Sequence, residues 1–300
     1  MIPLATGSYG GGSIRIPASL CGFSGIKTSQ GRVPNGGTNP PGSGILSVKG
    51  PMALRTRDTA YALDACVGDH PSDIFALPRS DHEWYPQLQV PGAPVRVIWS
   101  ATMGFAKVDR EVLTCCEKAI GRLADSGVEI IERDVIWEED PVIHWMPIWA
   151  ASRARAQGEL KDTEGWDLID AGLKPQIEMG LTRVSGVDYA KSIDACHFLN
   201  LKLEAAFESA PLILTPTTCG QTPNLQGGGF VNGDETPSWV AFTYGINMTR
   251  NPAGTVCAGL TEDGMPVGLQ VIGPQRQDVS VLRGMDYLEE VIGFNQRAAI

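Results

Sequence analysis

Gly7-Ser8-Tyr9-Gly10-Gly11-Gly12-Ser13-Ile14-Arg15-Ile16-Pro17 sets one serine directly behind three glycines and two residues before an arginine. Glycine has no Cβ, so consecutive backbone N–H groups can converge on one point and approach a ligand closely. Such a loop suits an oxyanion. If Ser13 Oγ attacks an acyl carbonyl, the oxygen that gains charge needs donors already aimed at it, and the amides of Gly10, Gly11 and Gly12 are placed to supply them. Ser13 is the candidate nucleophile on this reading, although a glycine-rich loop taken alone more often makes a turn or binds phosphate than carries a nucleophile. A P-loop would end in Gly-Lys-Ser/Thr and a dinucleotide fold would set a full strand before the glycines. Neither pattern occurs. No Gly-x-Ser-x-Gly elbow occurs anywhere either, and a Ser-His-Asp triad would have to recruit one of four scattered histidines.

The run continues into Ala18-Ser19-Leu20-Cys21-Gly22-Phe23-Ser24-Gly25-Ile26-Lys27-Thr28 and Gly31-Arg32-Val33-Pro34, and as a whole it resembles the second half of the amidase signature. Gly50-Pro51-Met52-Ala53-Leu54-Arg55-Thr56-Arg57-Asp58 resembles a second block of that family. Leu214-Thr215-Pro216-Thr217, Asn247-Met248-Thr249-Arg250-Asn251-Pro252-Ala253 and Asp263-Gly264-Met265-Pro266-Val267-Gly268-Leu269-Gln270 resemble three more, in the family's order. The resemblance implies a hydrolase of carboxamide C–N bonds with a Ser-cisSer-Lys triad, in which Ser13 matches the acylating serine. A neutral lysine then takes a proton from a bridging serine, which takes one from the nucleophile. Such a lysine needs a pKa lowered by burial or by neighbours.

The family's lysine and bridging serine lie well upstream of its nucleophile, whereas only twelve residues precede Ser13 here. Ser8 is too close to Ser13 to match the Gly-Ser-Ser-Gly-Gly segment of the bridging serine. Lys27 matches the Gly-x-Lys block after the nucleophile, and Lys49 matches neither position. The expectation is therefore an amidase fold whose N-terminal part is missing, inactive as this chain alone. Tyr9 is a second departure, standing where family members commonly carry an acid at the head of the glycine loop. A tyrosine cannot pair with Arg15 as a charge, so Arg15 is read first as a structural tie to nearby carbonyls.

Composition agrees with a large soluble fold. At 43% hydrophobic, 300 residues suffice for one extensive core, so the economical reading is a single domain over residues 1–300. The formal net charge of -10 argues against nucleic acid as a partner. Seven cysteines without a Cys-x-x-Cys pair read as mostly buried free thiols in a reducing compartment. The N-terminus lacks the basic and apolar segments of a secretory signal, which makes the cytoplasm the default. The apolar stretch 141–151 is too short to span a membrane. No His-x-x-x-His spacing calls for a metal, His197 is read as an ordinary helix residue, and no organic cofactor is implied.

Periodicity predicts a helix over 53–67 and a strand over 95–99. It also predicts a helix capped by Asp109 and stopped by Gly127, then a strand over 128–131. A long helix over 187–209 follows, leading to a strand over 212–215. The β-α-β unit predicts parallel strands with helices on both faces of the sheet, and the family resemblance implies an α/β fold with a mixed, largely parallel central sheet flanked by helices. Glu138-Glu139-Asp140 reads as a solvated loop. Residues 137–186 hold Trp137, Trp145, Trp149 and Trp166 without a strand pattern and read as a helical insertion. Within it Trp145 and Trp149 are candidates to line an acyl pocket, because pockets are mostly apolar and aromatic.

Three functions follow from these readings. The chain is the nucleophile-bearing part of an amidase acting on a small-molecule amide, completed by a separately encoded N-terminal part or working as a homodimer. Alternatively it is a silent paralogue serving as a binding or assembly partner, or it is a gene remnant.

Overall fold

A computed structural model describes residues 2–89, 92–224 and 228–294. Its strands are β1 (Leu4–Tyr9), β2 (Ser24–Lys27), β3 (Val48–Ala53), β4 (Arg96–Trp99), β5 (Glu129–Glu132), β6 (Ile213–Pro216), β7 (Phe230–Val231), β8 (Asp234–Glu235), β9 (Ala253–Leu260) and β10 (Pro266–Ile272). Its helices are α1 (Arg15–Leu20), α2 (Thr56–Cys66), α3 (Trp84–Gln87), α4 (Arg110–Asp125), α5 (Val142–Gln157), α6 (Glu164–Asp167), α7 (Lys174–Thr182), α8 (Gly186–Phe207), α9 (Ala241–Thr249) and α10 (Asp278–Ile292). Eight strands form one sheet in the order β1-β3-β2-β9-β10-β6-β4-β5, and β7 and β8 make a separate hairpin.

The sheet is mixed, but the parallel character expected of it is confined to one edge. β6, β4 and β5 run parallel, while β1 with β3, β3 with β2, β2 with β9, β9 with β10 and β10 with β6 are all antiparallel. The β4-α4-β5 unit is the part whose local pattern fixes its direction, because a helical crossover returns the chain parallel. The other pairings are set by contacts distant in sequence, which periodicity does not report.

Side chains alternate across the sheet and so build two cores. Val97, Trp99, Leu214, Leu269 and Val271 join Val112, Cys116 and Leu123 of α4 and Leu282 and Met285 of α10 on one face. Ile98, Ile213, Ala253 and Ile272 face the other way, against Leu203 and Ala206 of α8 and Phe242 and Ile246 of α9. The period of two along a strand makes this division automatic. α4 begins where expected, with Asp109 accepting a hydrogen bond from the Glu111 amide. Residues 137–186 contain α5, α6 and α7 and no strand. The cysteines are free, with Cys115, Cys116, Cys196, Cys219 and Cys257 buried and Cys21 and Cys66 exposed.

One tie between helices carries a pH signature. Both carboxylate oxygens of Glu289 on α10 accept from the Thr56 amide at the start of α2, at 3.1 and 3.0 Å. Burial outweighs these bonds and raises the Glu289 pKa from 4.5 to about 7. A carboxyl raised above its unfolded value stabilises the fold when protonated, and that contribution is lost as pH rises through about 7. We therefore expect thermal unfolding scans to show the midpoint falling between pH 5 and pH 8, with a smaller fall in Glu289→Gln.

Candidate active site

The glycine loop leaves the end of β1 and turns directly into α1, so Ser13 sits between an anchored strand and an anchored helix. Gly12 adopts a φ of 129°, a conformation in which a side chain is strained. The loop also lies flush on its neighbours. A Cβ at Gly11 would come within 2.9 Å of the Trp145 ring, and one at Gly12 within 2.5 Å of Thr243 Oγ1. Tyr9 closes β1, and its side chain lies outside the described residues.

The carbonyls of the loop are all engaged. The Trp145 indole N–H donates to Gly10 O at 2.9 Å, Thr243 Oγ1 donates to Gly11 O at 2.6 Å, and the Ile16 amide donates to Gly12 O at 2.8 Å. The amides of Gly11, Gly12 and Ser13, by contrast, meet no acceptor among the described residues. Three successive N–H groups therefore carry no protein acceptor among the described residues.

Arg15 lies fully buried under this loop. Its guanidinium donates to Gln270 Oε1 at 2.6 Å, Thr243 O at 2.8 Å and Asn247 Oδ1 at 2.5 Å. All three acceptors are neutral. Burial lowers the Arg15 pKa to about 9, which leaves it cationic at neutral pH. Gln270 in turn donates to Thr215 Oγ1 at 3.0 Å, and Asn247 Nδ2 donates to Leu46 O at 3.0 Å. The sequence blocks holding Arg15, Thr215, Asn247 and Gln270 therefore meet in one hydrogen-bond network.

Lys27 is the residue that sequence reasoning set aside. It lines the same tight crevice as Ser13, Arg15 and Asn247, and among the described residues its amine donates only to Thr28 O, at 3.3 Å. Burial and the nearby Arg15 charge hold that amine well below its ordinary pKa, against the opposing pull of Asp278. No hydrogen bond links it to Ser13 among the described residues.

Trp145 is half-buried beside the loop, stacked on Trp149 at 5.1 Å between ring centroids and tilted on Tyr244 at 5.5 Å. Trp149 is almost fully enclosed, beneath the Arg153 guanidinium at 4.5 Å, and its indole N–H donates to Gln176 Oε1. Of the two candidate pocket residues, Trp145 is thus the one that borders the loop, with Trp149 behind it. Asp140, read from sequence as a solvated acid, instead accepts a 2.6 Å bond from the Tyr244 hydroxyl, and Glu138 pairs with Lys202 at 3.0 Å. His197 is exposed on α8. Thr243 was missed because it lies four residues before the Asn247 block, with no local signal of its contact.

Among the described residues no cluster of His, Cys, Asp or Glu is arranged to hold a metal. No described helix is long and apolar enough to cross a membrane. A cleft of about 560 Å³ between α4, β9 and the end of α10 contains none of the residues named around Ser13.

Comparison with known proteins gives this arrangement its family. The acylamidase of Rhodococcus erythropolis is 31% identical over 302 residues, covering 96% of this chain and 61% of the relative. A 6-aminohexanoate-cyclic-dimer hydrolase of Paenarthrobacter ureafaciens is 26% identical over 319 residues, covering 96% and 62%. Among solved structures, a bacterial aryl acylamidase of the amidase signature family superposes with a TM-score of 0.86 at 23% identity, over 97% of this chain and 62% of that one. The chain thus spans less than two thirds of the length of these relatives. Residues 1–282 match the amidase family. The sequence blocks, the shared fold and that match agree, and the chain belongs to the amidase signature family.

Proposed function

We propose that this chain carries the acyl-transfer half of an amidase. Ser13 Oγ attacks the carbonyl carbon of a carboxamide, forming the Oγ–C bond as its proton passes to a base. The developing oxyanion is received by the glycine-loop amides. The C–N bond then breaks, the amine leaves with the proton, and water hydrolyses the ester on Ser13. The observation that carries this reading is the row of amides without protein acceptors at Gly11, Gly12 and Ser13, set beside the hydroxyl that would attack. It overlaps the Gly10 to Gly12 set read from sequence, displaced by one residue.

The proton relay on this reading comes from outside residues 1–300, as a separately encoded N-terminal part or the remainder of a longer chain. Lys27 is a dehydrated amine in the right neighbourhood, but its hydrogen bond runs to Thr28 O and not to the nucleophile. Trp145 forms the wall of the acyl side, with Trp149 as its backing, and favours an aromatic or apolar acyl group. Arg15 acts as the tie beneath the loop and does not touch substrate, since its bonds go to Gln270, Thr243 and Asn247.

Two measurements check this reading. Residues 1–300 alone are expected to hydrolyse no simple amide above background and to be labelled by a fluorophosphonate at Ser13 once the relay segment is supplied. Labelling that survives Ser13→Ala, or none in any preparation, rejects Ser13. Arg15→Lys cannot reproduce the fork to three acceptors and leaves a buried acceptor unpaired, a loss of about 1–3 kcal/mol in urea unfolding. Undiminished stability with a raised KM would assign Arg15 to substrate binding instead.

A further inference from the structure

We propose that Trp145 and Thr243 are positioning residues for the oxyanion site, turning two consecutive peptides of the glycine loop so that the Gly11 and Gly12 amides face the substrate. The inference rests on the reading of Ser13 as nucleophile. Its starting point is the planar trans peptide, in which C=O and N–H of one unit point in opposite directions. Holding the Gly10 carbonyl therefore aims the Gly11 amide, and holding the Gly11 carbonyl aims the Gly12 amide. Trp145 on α5 holds the first at 2.9 Å and Thr243 on α9 holds the second at 2.6 Å. The Ile16 amide in the first turn of α1 does the same for the peptide leading to Ser13.

Glycine at these positions makes such external holding necessary. Glycine peptides rotate readily, so an unheld Gly-Gly-Gly run would sample many orientations of its N–H groups. The close fit of Gly11 on the indole and of Gly12 on Thr243 leaves no space for a side chain and keeps each carbonyl against its donor. The indole is itself fixed, stacked between Trp149 and Tyr244, and the Tyr244 hydroxyl is anchored on Asp140. Preorganised donors are effective because they need no reorientation as charge develops, and this hydrogen-bond chain supplies that preorganisation.

The test separates loop orientation from simple packing. In a preparation that a fluorophosphonate labels at Ser13, the inactivation kinetics are resolved into kinact and KI for Trp145→Phe, Thr243→Val and Thr243→Ser. The first two are expected to lower kinact about 10- to 100-fold with KI within about twofold, since removing one oxyanion donor costs about 100- to 1000-fold in other hydrolases. Thr243→Ser keeps the hydroxyl and restores most of kinact. If Trp145→Phe does not fold, benzothienylalanine at position 145 keeps the shape and removes only the N–H. A labelled parent with kinact unchanged in the variants overturns the inference alone, and so does a rise in KI at constant kinact. A parent that is labelled in no preparation overturns the Ser13 reading and this inference with it.

Discussion

A buried guanidinium held by neutral acceptors organises this molecule. Arg15 is bonded to two side-chain amides and a main-chain carbonyl. An ion removed from water is tolerated only when its donors are met by well-placed dipoles, and any one acceptor moved aside leaves charge uncompensated. The acceptors belong to α9 and β10, whereas Arg15 begins α1. Its bonds thus fix the helix that follows the nucleophile against the centre of the sheet, and the glycine loop inherits its position from that attachment.

The choice of neutral acceptors has an electrostatic side. Neighbouring carboxylates would cancel the arginine charge, while neutral acceptors meet its two terminal nitrogens and leave the positive potential in place. Lys27 registers it, because its amine is held toward the neutral form by burial and by that same charge. The crevice beneath Ser13 therefore combines a retained positive charge with a dehydrated amine, surroundings that favour negative charge appearing nearby.

How much of this was readable beforehand follows from the range of each interaction. The Asp109 cap, the amphipathic face of α4 and the positions of α2, α8, β4 and β6 depend on neighbours a few residues away, and the residue pattern exposes them. Arg15, Thr215, Asn247 and Gln270 all fell within recognisable blocks, yet their meeting did not, since hydrogen bonds across more than two hundred residues leave no periodic trace. Strand direction outside the β4-α4-β5 unit failed for the same reason. Trp145 was singled out for its aromatic surface, while its indole N–H, aimed at Gly10 O, was invisible until α5 was placed against the loop. Asp140 looked solvated because its partner, Tyr244, is a hundred residues away.

The sequence separations within the Arg15 network also order events in time. Its partners lie 228, 232 and 255 positions downstream. A ribosome delivers Ser13 and its glycines more than two hundred residues before Thr243, Asn247 and Gln270, and contacts of such long range are slow to close. The loop that would carry the nucleophile thus waits for partners made long after it. A nascent chain holds that serine without its Arg15 attachment until α9 and β10 have emerged.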